Sequence, residues 1–173
     1  SFVGVSRYDL GGVYGRQVAV LTRKLLSESE KEKIKITVLT GKGTDAATQK
    51  LLISTIREVV SKDADLYGRI DFGTYEIDDL GTFASQRSVT DMLMEPENVP
   101  DILVALSEEH TYSAYQAVID NNIVGQCNII GYHDSDIIKN AIKNEIVYSA
   151  VAVDAHQMGA YCTAALDEYI IGQ

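Results

Sequence analysis

With 173 residues, 46% of them hydrophobic, the chain has the material for one domain with a sizeable core. Fifteen Lys and Arg stand against 25 Asp and Glu, and the resulting net charge of -10 repels a phosphate backbone. Direct nucleic-acid binding is thereby excluded as the chain's business, because it depends on basic side chains releasing counterions. Charged residues make up 23% of the chain and are spread along it, with only two prolines, so neither disorder nor a flexible linker is indicated.

In chain order, a short β-branched or apolar run, a polar turn and a longer stretch of helical period alternate to the end. That is the pattern of βα units and a mainly parallel sheet. The strand segments are 2–5, 34–39, 67–75, 102–106, 128–132 and 147–153. Most read as apolar runs, as strands covered on both faces should. The segment 67–75 is the least regular, interrupted by Asp71 and Gly73.

Thr44 and Asp45 precede a helix in which Leu52, Ile56 and Val59 share one face. Asp134 and Ser135 are placed to cap a short helix that buries Ile138, Ala141 and Ile142. Asp154 is placed to cap a last helix, with Met158, Cys162, Ala165 and Tyr169 as its stripe and Gly172 as its stop. No run approaches the roughly 20 apolar residues that span a bilayer. Cys127 and Cys162 are too few for a disulfide framework or a four-cysteine zinc site, and leave a single disulfide open.

In open parallel sheets, ligands bind beyond the carboxyl ends of the strands, where loops and helix amino-termini converge. Here those loops are 6–8, 40–44, 76–79, 107–110 and 132–134, all rich in hydrogen-bonding groups. The segment Gly41-Lys-Gly-Thr44 resembles part of a phosphate loop, but Ile36 stands where that pattern needs its first glycine and Gly43 where it needs Ser or Thr. It reads as an ordinary strand-to-helix turn. His110, His133 and His156 lack the spacing that preassembles a metal site and read as surface or cleft histidines. His133-Asp134 is a poor catalytic pair, since neighbours on a turn point apart and no nucleophile accompanies them. The sequence assigns no catalytic residue, no metal and no cofactor.

The series Asn128-Ile-Ile-Gly-Tyr-His133-Asp, a short helix, Ile146-Val-Tyr-Ser-Ala-Val-Ala-Val153 and Asp154-Ala-His-Gln-Met-Gly159 resembles the third lobe crossover of the type I periplasmic-binding-protein-like family. This family comprises the sugar-binding proteins of ABC uptake systems and the effector domains of lactose-repressor-type regulators. The opening Phe2-Val-Gly-Val-Ser, followed by Gly11-Gly12 and a helix, resembles the family's first crossover into its carboxy-terminal lobe.

The resemblance implies a three-layer α/β/α sandwich. Residues 1–153 would form the carboxy-terminal ligand-binding lobe, and 154–173 a helix that packs on an amino-terminal lobe lying outside this chain. That helix would otherwise fold back on its own sheet or cover a second copy as a homodimer. Carried over position by position, the resemblance implies ligand contacts from Lys50, Ser107, Glu108, His133 and Asp134. Lys50 falls where many sugar binders have Arg, Ser107 where Asn or Asp is frequent, His133 where Asp is common and Val153 where Gln or Asn is frequent. Asp134 stands one residue beyond the usual acid.

The implied function is reversible, non-enzymatic binding of a carbohydrate or similar polar small molecule. The protein would lie outside the cytoplasm, in the periplasm or at the cell surface, with a membrane permease or sensor as partner. The alternatives are the effector-binding domain of a cytoplasmic transcription regulator and a degenerate, non-binding interaction module.

Overall fold

A computed structural model describes residues 7–43, 45–154, 159–164 and 168–171. The order is α1 (Arg7–Glu28), β1 (Ile34–Gly41), α2 (Ala46–Ser61), β2 (Ile70–Ile77), α3 (Thr82–Met94), β3 (Ile102–Val104), α4 (Glu108–Asp120), β4 (Asn128–Tyr132), α5 (Asp136–Lys143), β5 (Val147–Asp154), β6 (Gly159–Ala164) and β7 (Glu168–Ile171). Short 3-10 turns at Ala64–Leu66 and Pro96–Asn98 precede β2 and β3.

The strands form a single sheet in the order β2-β1-β3-β4-β5-β6-β7. The first five are parallel, each in register with its neighbour apart from an irregularity between Ile129 and Ile130. The last two run antiparallel. One face packs Tyr14 and Val18 of α1 and Ile56 and Val60 of α2 against Ile36, Val38, Val104 and Val151. The other packs Val89 and Met92 of α3, Ala117 of α4 and Ile138 and Ile142 of α5 against Leu39, Leu103, Ile129 and Val147. The chain is thus a three-layer α/β/α sandwich, and strand residues alternate between two cores because successive side chains of a strand point to opposite faces.

The glycines early in α1 have a packing reason. A Cβ on Gly11 would stand 2.7 Å from Thr55 Cβ, and one on Gly15 would stand 2.6 Å from Val59 Cβ. Gly costs a helix about 1 kcal/mol relative to Ala, a loss offset here by the close approach of α1 to α2. In α2, Asp45 accepts from the amides of Ala47 and Thr48, and Leu52 and Ile56 are buried with Val59 partly so. In α5, Ser135 is the cap, accepting from Ile138, above buried Ile138, Ala141 and Ile142.

Several expectations need correction. The strand expected over 67–75 is Ile70–Ile77, because Gly68, at φ 73, turns the chain before it. Asp71 and Gly73 do not interrupt it: β2 is an edge strand, and Asp71 points to solvent. The strand expected over 102–106 ends at Val104, although the Ala105 amide still donates to Ile130. The strand expected over 2–5 lies outside the described residues.

The largest correction concerns the helix expected over 154–171. Asp154 ends β5, and 159–164 and 168–171 are strands rather than helical turns. A lone β5 edge would leave backbone groups unpaired, and the β-branched and aromatic content of Tyr161, Thr163, Tyr169, Ile170 and Ile171 suits pairing there. Cys162, placed in the helical stripe, is buried all the same, now by strand alternation with Ala160. Met158 and Ala165 lie outside the described residues.

Candidate ligand-binding edge

The sheet reverses direction of growth between β1 and β3: the chain leaves β1 for β2 on one side and returns to β3 on the other. At such a switch point the loops beyond the carboxyl ends diverge and leave a crevice. Here the crevice is filled by the chain itself. His110 Nε2 lies 2.8 Å from Asp79 Oδ2, with side chains only 3% and 4% exposed. The carboxylate is the acceptor, so Nε2 carries the proton, and the buried Nδ1 has no hydrogen-bond partner. The other Asp79 oxygen accepts from the Gly43 amide at 2.6 Å. A Cβ on Gly41 would stand 1.7 Å from Asp79 Oδ2, so only glycine fits there. Gln49 completes the plug, bonding Gly41 through both its amide (2.6 Å) and its carbonyl (3.2 Å).

His110 is therefore not the surface or cleft histidine the sequence suggested but a buried one. It had to find a partner because a buried polar ring without one is costly. His156 lies outside the described residues, and His133 is partly exposed. The Gly41-Lys-Gly segment is a turn held by Asp79 and Gln49, as its reading as an ordinary connection required.

The plug leaves the carboxyl ends of β3 and β4 as the accessible part of this edge. Ser107 caps α4, its Oγ accepting from the His110 amide at 3.1 Å and its carbonyl from the Thr111 amide at 3.0 Å. Glu108 opens the same helix and is exposed. Thr111 Oγ1 accepts from the Tyr132 amide at 2.8 Å, which ties α4 to the end of β4. His133 has φ 92, an uncommon backbone conformation for a side-chain-bearing residue and one that concentrates at functional sites. Its amide donates to Val151 at 2.8 Å, which holds the loop to β5.

His133 Nδ1 accepts from the Ser135 amide at 3.2 Å, and Glu108 Oε1 approaches the same nitrogen at 3.7 Å. With Nδ1 accepting, the neutral ring carries its proton on Nε2. The contact with Glu108 becomes an ion pair only when the ring protonates, and at this exposure such a pair is worth little. Asp134 does not cap α5. Its Oδ2 accepts from the hydroxyl of Tyr161 on β6. His133 and Asp134 thus have separate partners and form no dyad.

Ser107, Glu108, His133 and Asp134 are brought to neighbouring positions on this edge. Lys50 is not among them: it is exposed on α2, in the opposite helical layer. Beside the group opens a cleft of about 410 Å³ lined by Thr82, Glu108, Glu109, Tyr112, Ser135, Ile137 and Ile138. Glu108, Glu109, Asp134 and Asp136 make this edge acidic. It suits neutral donors such as hydroxyls and disfavours anions, despite the helix amino-termini that meet there.

Support comes from beneath. Tyr14, fully buried on α1, donates to the Ala105 carbonyl at 2.8 Å. Burial pushes its phenol well above its ordinary range, reinforced by Tyr132 and Cys162. Cys127, ahead of β4, has its thiol pushed up to about 12 by burial and then by Asp101. Cys127 and Cys162 are not bridged, so the disulfide left open by the sequence is not formed. Among the described residues, no group of three or more His, Cys, Asp or Glu is placed to hold a metal ion. No described helix is long and apolar enough to cross a membrane.

Sequence reasoning named the loops that carry Asp79 and His110 but did not pair the two residues, which are 31 positions apart. Tyr161 was missed altogether, because its segment was assigned to a helix.

No family model matches the chain, and no curated protein does. Solved structures do. The glucose-galactose-binding protein GanP from Geobacillus stearothermophilus aligns with a TM-score of 0.71 at 16% identity, over 92% of this chain and 52% of its own. The XylFII molecule aligns with a TM-score of 0.69 at 16% identity, over 90% and 52%. The arabinose-binding protein AraP from Geobacillus stearothermophilus aligns with a TM-score of 0.68 at 15% identity, over 88% and 48%. The chain has the type I periplasmic-binding-protein-like fold, in the extent of a single lobe. It spans about half the length of the first structures it matches.

Proposed function

We propose that this chain forms one wall of a cleft that reversibly binds a carbohydrate or similar neutral, hydroxyl-rich small molecule. The observation that carries the reading is the juxtaposition, on the carboxyl edge of the sheet, of Ser107, Glu108, His133 and Asp134 beside the 410 Å³ cleft. Carboxylates, a hydroxyl and an imidazole with one nitrogen uncommitted suit the donor and acceptor pattern of a sugar. The sugar-binding structures of the same fold support this reading.

The opposite wall would be a second lobe, with this chain as the carboxy-terminal one, residues 1–153 supplying its ligand-binding face. Leu80, Phe83 and Ile137, which are 78%, 76% and 55% exposed, crowd this edge with apolar surface that a second lobe would cover. Closure of the two lobes would shift an open and closed equilibrium for a membrane permease or sensor to detect. An ABC transporter periplasmic solute-binding protein from Actinobacillus succinogenes, solved with bound D-allose and similar in fold, favours a role of that kind outside the cytoplasm. No bond is made or broken.

Calorimetry with glucose, galactose, arabinose and D-allose tests the reading. At least one should bind, with affinity reduced about 5- to 10-fold in Glu108→Ala and in Asp134→Ala, a loss within the range of one net hydrogen bond. Binding by none of them, or binding indifferent to both substitutions, overturns it.

A further inference from the structure

We propose that Tyr161 belongs to this edge as the internal occupant of Asp134, holding the β6–β7 hairpin on β5 until a ligand hydroxyl displaces it. The inference rests on the binding reading above and adds to it the group that competes with the ligand.

Tyr161 stands opposite Ala152 in the β5–β6 register. The small Ala152 side chain leaves room for the phenol to cross β5 toward the start of α5, where its hydroxyl donates to Asp134 Oδ2. This is the bond a sugar hydroxyl would make, a neutral O–H given to a carboxylate. While β6 is latched, Tyr161 holds one of the acceptor positions on that oxygen, and a ligand hydroxyl aimed at it must compete with the phenol.

The seat of the hairpin is imperfect. Ser149 Oγ and Thr163 Oγ1, buried on β5 and β6, have no hydrogen-bond partner. Groups buried in that way weaken the packing that encloses them. Across this flawed seam the Tyr161–Asp134 bond adds to the backbone pairing of β6 with β5 in keeping the hairpin in place.

Two thiols report on this. Cys162 is fully buried on β6, and Cys127, buried ahead of β4, serves as the internal control. Maleimide labelling of the 173-residue chain, followed by peptide mass spectrometry, should proceed about 3- to 10-fold faster at Cys162 in Tyr161→Phe and in Asp134→Ala, the range one net hydrogen bond supplies. Cys127 should be unchanged, and the double variant no faster than the single ones. A saturating sugar that binds in calorimetry should speed Cys162 labelling in the parent chain but not in Tyr161→Phe.

Parental Cys162 rates in Tyr161→Phe overturn the latch and leave the binding reading intact. A sugar that binds without changing the parental rate overturns the displacement. Failure of every sugar to bind overturns the binding reading and the displacement with it, while the variant rates still decide the latch.

Discussion

One carboxylate, Asp79, ties together three loops at the carboxyl edge: its own, the turn at Gly43 and the start of α4 through His110. Removing it leaves a buried imidazole and a backbone amide without partners. Asp79→Ala should therefore lower the unfolding free energy by about 3–5 kcal/mol, as breaking a buried pair does, measurable by urea denaturation. Gly41→Ala should be as damaging, since its Cβ would overlap the carboxylate.

Cys127 predicts the alkaline behaviour. Its folded value of about 12 lies above the ordinary 9.0, so the folded state keeps its proton where the unfolded state has lost it. Its contribution is fully present below pH 9 and is lost as pH rises toward 12. The slope is at most about 1.4 kcal/mol per pH unit. Between pH 9 and 10 stability should fall less steeply in Cys127→Ala than in the parent, the phenols being common to both.

Residue-level legibility was uneven for a physical reason. Caps such as Asp45 and Ser135 are local and show in the sequence. The Asp79–His110 pair depends on which loops the topology brings together.

Among the elements, α1 and α2 illustrate packing that composition conceals. Gly11 and Gly15 read as poor helix formers, yet each faces a branched side chain of α2 at contact distance. Gly15→Val should force the helices apart and cost about 1–3 kcal/mol, the usual penalty of overpacking, readable as a lower urea midpoint. The amphipathic α5 was legible down to its three buried residues, because the 3.6-residue period and the capping serine agreed. The terminal segment was not. Cys162 and Tyr169 lie seven positions apart, a spacing both a helix face and a pair of strands accommodate. The free edge of β5, a feature of the assembled sheet rather than of local sequence, decides for strands.

At the scale of the molecule, the alternation of apolar runs with helical periods was enough to anticipate a mainly parallel sheet, and the family resemblance implied the three-layer sandwich. The antiparallel end of that sheet and the plugged switch point were not anticipated. The plug has a functional consequence: it moves the accessible edge from the β1–β3 crevice to the ends of β3 and β4. The acidic character of that edge, on a chain of net charge -10, predicts discrimination by ligand charge. A neutral sugar should bind at least tenfold more tightly than its phosphorylated form, since unpaired like charges brought together cost roughly 1.4 kcal/mol or more.

The most direct test of the account is an amide shift map of the 15N-labelled chain titrated with the neutral sugars. Perturbations should concentrate at Ser107, Glu108, His133, Asp134 and Ser135, with Tyr161 moving in step with Asp134. Perturbations confined instead to the cleft of about 550 Å³ at the opposite end of the sheet, lined by Lys31, Asp101 and Gln126, or no perturbation at any of these positions, would contradict it.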